Sequence, residues 1–173
     1  SAGTYEIEFD LSTLPPGFVV TLQNAGLDSI DSDADLVTGR TGPIVLNQNE
    51  TDPTWDMGAY VPACIGDLVW DDLDGDGTQD AGEPGITNVT VELHRCSDSN
   101  LVTTIATGSN GLYQFCGLVP GDYFVRVLAP TGYEYTGSNQ GSNDCTDSDA
   151  DVSGRTACTT LTSGEIDDCT DTG

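Results

Sequence analysis

Lysine is absent from this 173-residue chain, and arginine occurs at four positions only, Arg40, Arg95, Arg126 and Arg155. Schiff-base chemistry, phosphate-gripping lysines and lysine–asparagine or lysine–aspartate isopeptide cross-links are thereby excluded within it. Against these cations stand 29 Asp and Glu residues, for a formal net charge of −25. Phosphate backbones need a basic surface, so nucleic acid is excluded as a partner. There is one histidine, His94, and no C-x-x-C spacing, which gives a zinc or redox site little support. His94 lies in a strand-like run, Thr90–Arg95, without a serine or cysteine motif beside it, so a catalytic triad is discarded. No signal peptide, membrane-spanning run or cell-wall sorting motif appears. Direct membrane insertion is not expected, and the chain reads as processed or excised from something longer. With 36% hydrophobic and 7% aromatic residues, small modules are expected in place of one large enzyme core.

Strands and turns are plentiful. Tyr5, Ile7 and Phe9 alternate with polar residues in Thr4–Phe9, as do Val89, Val91, Leu93 and then Tyr123, Val125, Val127. Turn signals separate them, among them Pro15-Pro16-Gly17, Asp74-Gly75-Asp76-Gly77, Glu83-Pro84-Gly85 and Pro120-Gly121. No sustained 3.6-residue period exists, so the expected fold class is all-β. Trp55, Trp70 and the scattered tyrosines are read as core or strand-face residues before they are read as a sugar-stacking platform.

The sequence also repeats itself. Asp31-Ser-Asp33-Ala-Asp35 recurs as Asp147-Ser-Asp149-Ala-Asp151, then Gly39-Arg40-Thr41 as Gly154-Arg155-Thr156. Glu50-x-Asp52-x-x-x-Asp56-x-Gly58 recurs as Glu165-x-Asp167-x-x-x-Asp171-x-Gly173. Upstream, Gly3-Thr4-Tyr5 is laid on Gly111-Leu112-Tyr113, and the Pro-Gly turn at 16–17 on that at 120–121. Residues 1–63 therefore read as the second half of a repeat, completed by a missing segment or by a neighbouring chain through strand addition. Residues 64–173 read as a nearly complete second repeat that lacks its last strand.

Calcium is the cofactor the acidic motifs point to. Asp72-Leu-Asp74-Gly-Asp76-Gly77-Thr78-Gln-Asp80-Ala-Gly-Glu83 fits the D-x-D-x-D-G-x5-E loop at every defined position. The spacing offers carboxylates from Asp72, Asp74, Asp76 and Asp80, a main-chain carbonyl at Thr78, and a bidentate Glu83. A strand-like Ile65–Trp70 precedes the loop and Pro84-Gly85 ends any helix after it, so an EF-hand-like loop without its helices is expected. Asp31, Asp33 and Asp35, with Asp52 and Asp56, and Asp147, Asp149 and Asp151, with Asp167 and Asp171, are candidate ligands of further cation sites. One D-S-D-A-D is weak evidence, because solvated acidic loops are common; its recurrence in register strengthens it. Nothing singles out a carboxylate pair for glycosidase chemistry.

Six cysteines without metal spacing imply disulfides and an oxidising, extracellular compartment. Cys158 and Cys169 flank the turn Thr162–Glu165 symmetrically and are expected to pair across a hairpin; Cys96 and Cys116 form a second expected pair. That leaves Cys64 for Cys145 or for another chain.

The run Ile65-Gly-Asp67-Leu-Val-Trp70-Asp-Asp72-Leu-Asp74-Gly-Asp76-Gly-Thr78-Gln-Asp80-Ala-Gly-Glu83-Pro-Gly-Ile86 closely resembles the opening of the B-type repeats of staphylococcal serine-aspartate repeat surface proteins. The resemblance continues through Val89–Leu93, Gly111–Phe115, Leu118–Gly121, Tyr123–Val125 and Asp147–Asp149, and residues 3–62 resemble the latter half of the same repeat. It implies tandem immunoglobulin-like or prealbumin-like β-sandwiches related to the collagen-adhesin B-type fold. It also implies calcium at Asp72, Asp74, Asp76, Asp80 and Glu83, and service as a rigid spacer in a stalk. The expected function is a calcium-stabilised extracellular stalk or fibre, partnered by adjacent repeats or neighbouring copies and open to self-assembly by strand complementation. The alternative is an adhesin module that binds glycans or a host or matrix protein. An enzyme is not expected.

Overall fold

Short turns cut the chain into strands of two to eight residues. The computed structural model describes residues 1–173, which divide into two units, Ser1–Pro62 and Ala63–Gly173. In the first unit β1 (Gly3–Tyr5) pairs antiparallel with β3 (Ile44–Leu46), and β2 (Val19–Val20) with β4 (Ala59–Tyr60). The second unit contains β5 (Ala63–Leu68), β6 (Thr90–Arg95), β7 (Leu101–Ala106), β8 (Leu112–Leu118), β9 (Gly121–Leu128), β10 (Thr159–Leu161) and β11 (Ile166–Asp167). A single 3-10 turn, Leu11–Thr13, is the one helical element, and no helix is long and apolar enough to cross a membrane.

The second unit is a β-sandwich. One sheet has the order β10-β9-β6-β7 and the other β11-β5-β8; only β11 with β5 is parallel. The period of two sends Val91 and Leu93 of β6, and Tyr123, Val125 and Val127 of β9, to the inner face, where Ile65, Tyr113 and Phe115 of the facing sheet meet them. Each such aliphatic burial is worth about 1.5–3 kcal/mol. On the outer face Phe124 is also covered: His94 stacks on it at 4.9 Å, and the Arg155 guanidinium lies 4.0 Å from its ring centre. His94 also lies 3.1 Å from Glu92 through Nε2, so it is a strand-face residue.

The first unit repeats main-chain bonds of the latter part of the second. Ile7 N–H donates to Thr41 Oγ1, as Val125 N–H does to Thr156 Oγ1; Phe9 N–H donates to Gly39 O, as Val127 N–H does to Gly154 O. Phe18 N–H closes on Pro15 O and Tyr133 N–H on Pro130 O. These pairs correct the upstream register read from sequence. Gly3-Thr4-Tyr5 corresponds to Gly121-Asp122-Tyr123, and the turn at Pro15–Gly17 to Pro130–Gly132, not to Gly111-Leu112-Tyr113 and Pro120-Gly121. Two Gly-x-Tyr triplets lie ten residues apart, and only strand pairing distinguishes them: Tyr5 pairs with Ile44 as Tyr123 pairs with Thr159.

The disulfides are Cys64–Cys116, Cys96–Cys158 and Cys145–Cys169, so both pairings expected from sequence are corrected. The turn at Thr162–Glu165 forms, with Glu165 N–H on Thr162 O, but it is no hairpin. β10 before it joins β9 in one sheet and β11 after it joins β5 in the other, which parts Cys158 from Cys169. Cys64 and Cys116 lie on adjacent strands, β5 and β8.

Non-reducing peptide mapping is expected to return these three pairs, and a Cys158–Cys169 peptide would contradict the crossing between sheets. Leu93→Ala, at a fully buried inner-face position, is expected to cost the second unit about 2–5 kcal/mol in a denaturant titration followed by Trp70 fluorescence.

Candidate metal centre

The twelve-residue loop Asp72–Glu83 is closed at its base by strand-like pairing. Asp71 N–H donates to Pro84 O at 2.9 Å, and Trp70 bridges Gly85. Within it Asp72 accepts from Gly75 N–H and Gly77 N–H, and Asp76 from Thr78 N–H, each at 2.8 Å. Glu83 spans the loop, with Oε1 accepting from Leu73 N–H and Oε2 from Asp80 N–H. Gly77 has φ of 80°, and a Cβ there would lie 2.4 Å from Gly137 O, so glycine is required.

Asp72, Asp74 and Asp76 each bring a carboxylate oxygen to within 4.8 Å of the others. The Asp76 charge is the main cause that raises the Asp74 pKa. Partial burial raises Asp72 too, but main-chain donation from Gly77, Gly75 and Asp76 outweighs it, leaving that carboxyl below its ordinary value. Thr78 and Asp80 are in the same loop, and the Thr78 main chain bridges to Asp147.

That bridge joins the two acidic motifs. Gln79 N–H donates to Thr146 O at 2.7 Å and Ser148 N–H to Gly77 O at 3.0 Å, placing Asp147 and Asp149 alongside the loop. Asp149 Oδ2 accepts from Asp171 N–H at 2.8 Å. Asp171 is fully buried: Leu68 N–H donates to its Oδ1 at 3.3 Å, and the next residue, Thr172, accepts from Trp70 N–H and donates to Leu68 O, each at 3.0 Å. Asp67, which the sequence reading missed, shares a hydrogen bond with Asp171. Burial and then the neighbouring Asp67 charge raise the Asp171 pKa; burial raises Asp67, and burial raises Asp149 to about 6. Tyr113 hydroxyl donates to Thr170 O at 2.6 Å beneath the group, and burial holds it protonated.

Two buried carboxylate oxygens of the second unit have no partner, Asp147 Oδ1 and Asp171 Oδ2, and neither do the nearby Thr136 and Thr172 hydroxyls. A cleft of about 210 Å³ is lined by Asp144, Asp149 and Asp167; Asp147 and Asp171 are not part of its lining. The first unit reproduces this arrangement. Asp31 Oδ2 accepts from Gly26 N–H while its buried Oδ1 is unpartnered, and Asp33 Oδ2 accepts from Asp56 N–H at 2.8 Å. Asp28, Asp31 and Asp33 line a cleft of about 280 Å³. Asp28 and Asp144 were not singled out in the sequence, although their spacing to the D-S-D-A-D repeat is the same in both copies.

Asp35 and Asp151 do not join these groups. The expected one-sided alternation needs an extended strand, but the chain turns here, and each carboxylate caps its own turn: Asp35 accepts from Val37, Thr38 N–H and Thr38 hydroxyl, Asp151 from Ser153 and Arg155. Asp52 likewise serves Thr54 and Trp55, and Asp167 serves Cys169 N–H and Thr170 hydroxyl. Asp56 is exposed where its counterpart Asp171 is buried.

The family model of the SdrD B-like domain matches residues 1–59 and 63–173. The chain belongs to the SdrD B-like domain family. It is 37% identical over 151 residues to serine-aspartate repeat-containing protein F of Staphylococcus epidermidis and 38% identical over 148 residues to serine-aspartate repeat-containing protein D of Staphylococcus aureus. Each match covers 84% of this chain, which spans 9% and 10% of those relatives' lengths. Among solved structures, the Bacillus anthracis TIE protein aligns over 96% of this chain and 24% of its own, at 17% identity and a TM-score of 0.44. GBS52, the minor pilin of Streptococcus agalactiae, aligns over 75% of this chain and 58% of its own, at 12% identity and a TM-score of 0.41. The assignment of this SdrD B-like chain to the β-sandwiches rests on its own sheets.

Acids whose folded pKa is raised stabilise the fold fully below their ordinary value of 3.8, and that contribution is lost as pH rises through the folded value. Asp67, Asp149 and Asp171 all shift this way. Chelator-treated protein is therefore expected to melt lower at pH 8 than at pH 5; a melting temperature that rises over this window would contradict the buried acidic cluster.

Proposed function

We propose that this chain is a calcium-stabilised structural repeat of an extracellular bacterial surface protein, a segment of a stalk or fibre and not an enzyme. The observation that carries the reading is the main-chain stitching of the Asp72–Glu83 loop to Asp147–Asp149, with unpartnered buried oxygens on Asp147 and Asp171. Anionic oxygens out of water and close together are costly unless a cation or a proton compensates them.

The donor set fits calcium, which takes six to eight hard oxygen ligands in a flexible cage. Asp72, Asp74, Asp76, Asp80, Glu83 and the Thr78 carbonyl would hold one ion. Asp147, Asp149 and Asp171 in the second unit, and Asp31 and Asp33 in the first, would hold others. The bound ion supplies positive charge; the chain's own residues do the rest. Glu83 ties the two ends of the loop, Gly77 lets it pass against Gly137, and the Ser148–Gly77 bond transmits its position to the second motif. Neutralising repulsion at this junction stiffens the repeat, which is what a spacer under tension requires. Membership of a family whose relatives are about ten times longer than this chain supports a repeat in an array, and three disulfides support an extracellular location.

Calcium titration by calorimetry, with melting in calcium and in excess chelator, tests this. Calcium at 100 times Kd is expected to add about 2.7 kcal/mol of stability per site. Asp74→Asn and Asp76→Asn are expected to weaken binding at least tenfold while leaving the metal-free melting temperature level or higher. Equal melting temperatures in calcium and in chelator would refute the reading.

A further inference from the structure

One sheet face of the first unit has no facing sheet. Tyr5 and Ile7 are 42% and 36% exposed, whereas their counterparts Tyr123 and Val125 are 5% and 0% exposed. Leu46 of β3 is half-buried where Leu161 of β10 is 1% exposed. In the second unit residues 63–118 cover this face, with Ile65, Leu93 and Phe115 in the shared core. The acidic end shows the same vacancy: Asp171 lies under Leu68 and Asp67, while Asp56 is exposed. A Cβ on Gly173 would meet the Trp70 ring at 2.7 Å; the nearest atoms to one on the matching Gly58 belong to Thr21 and Ser32, with no aromatic ring among them.

We propose that Ser1–Pro62 is an acceptor whose open face takes a donor segment with the chemistry of residues 63–118: a strand of the Ile65–Trp70 kind laid beside Asp56–Gly58, and a strand of the Val91/Leu93 kind laid beside β1. This deepens the reading of the chain as an array of structural repeats and rests on it. The chain's own 63–118 is not that donor, because it is already packed on 119–173. A second copy in the same closed state is not the donor either, since each copy carries one donor and two acceptors, and exchange between copies always leaves an acceptor open. The donor is therefore a further segment of this kind within one longer polypeptide, and the relatives, of which this chain spans about a tenth, are long enough to hold several.

The test fuses a second copy of residues 63–118 ahead of Ser1 of the full chain and reads amide hydrogen exchange at Tyr5, Ile7 and Ile44–Leu46. In the unfused chain these amides are expected to exchange fast and the protein to sediment as a monomer. In the fusion they are expected to slow at least a hundredfold, to the level of Tyr123–Val127. A fusion whose donor copy carries Leu93→Asp should lose that protection, while Tyr123–Val127 in the same molecule report that the original second unit is folded. Unchanged exchange in the fusion overturns the proposal, as does protection that appears in the unfused chain with self-association. Calcium-dependent melting of the second unit is read in the same samples, so failure of the calcium-stabilised reading shows there without altering the exchange pattern at β1.

Discussion

Like charges held side by side in a partly dry place are the constraint around which the second unit is organised. Asp67, Asp149 and Asp171 converge where β5, the Asp147–Asp151 loop and the C-terminal residues meet, and desolvation is the largest cause of the raised pKa at each. Such a cluster flies apart unless main-chain donors, bridges or counter-ions hold it. The chain supplies the first two itself. Asp149 and Asp171 each accept from main-chain N–H groups, and Cys145–Cys169 ties the loop to the C-terminal segment. Closing a loop with a sequence separation of 24 removes unfolded-state entropy worth about 3.5 kcal/mol in the chain-entropy model.

The first unit shows what the bridges add. It makes the same bonds around Asp31, Asp33, Thr41 and Gly39 with no cysteine anywhere in residues 1–62. The loop geometry is thus written in the D-S-D-A-D and Gly-Arg-Thr residues, and the disulfides reinforce it. Chemistry diverges where geometry does not. Arg40 makes ion pairs with Glu6 and Glu8 on the exposed surface, while Arg155 at the matching place lies over the Phe124 ring. One arginine position thus braces the outer face of its sheet by charge in one repeat and by stacking in the other.

Much of this was legible in the sequence. The period of two placed Val91, Leu93, Tyr123, Val125 and Val127 on one face, because alternation survives any rearrangement of the strands around it. The Asp72–Glu83 loop was legible because its acidic residues and glycines stand at fixed spacing within one short stretch. The disulfides were not, because pairing depends on which sheet receives the strand after a turn, and Thr162–Glu165 reads the same whether it closes a hairpin or crosses between sheets. Asp67 was hidden for a similar reason: its partner Asp171 lies at the far end of the unit's sequence, and only the parallel pairing of β5 with β11 brings them together. The upstream register of the repeat failed because a Gly-x-Tyr triplet carries too little information to separate two candidates.

The base of the Asp72–Glu83 loop bears on what an ion there can accomplish. In a calcium sensor the loop lies between helices that act as levers, so ligation becomes a change of angle. Here the loop emerges from β5 and closes through Asp71–Pro84 and Trp70–Gly85, with the Trp70 side chain almost wholly buried and Ile65 of the same strand in the core. Nothing at that base rotates without breaking the sandwich. Ligand free energy delivered at such a site would go into resisting local opening, not into motion, and would reach Asp147 and Asp149 through the Ser148–Gly77 bond. With an ion bound, an acidic repeat otherwise loosened by its own charge would become stiffest at the point where its loops, its C-terminal residues and its first strand meet.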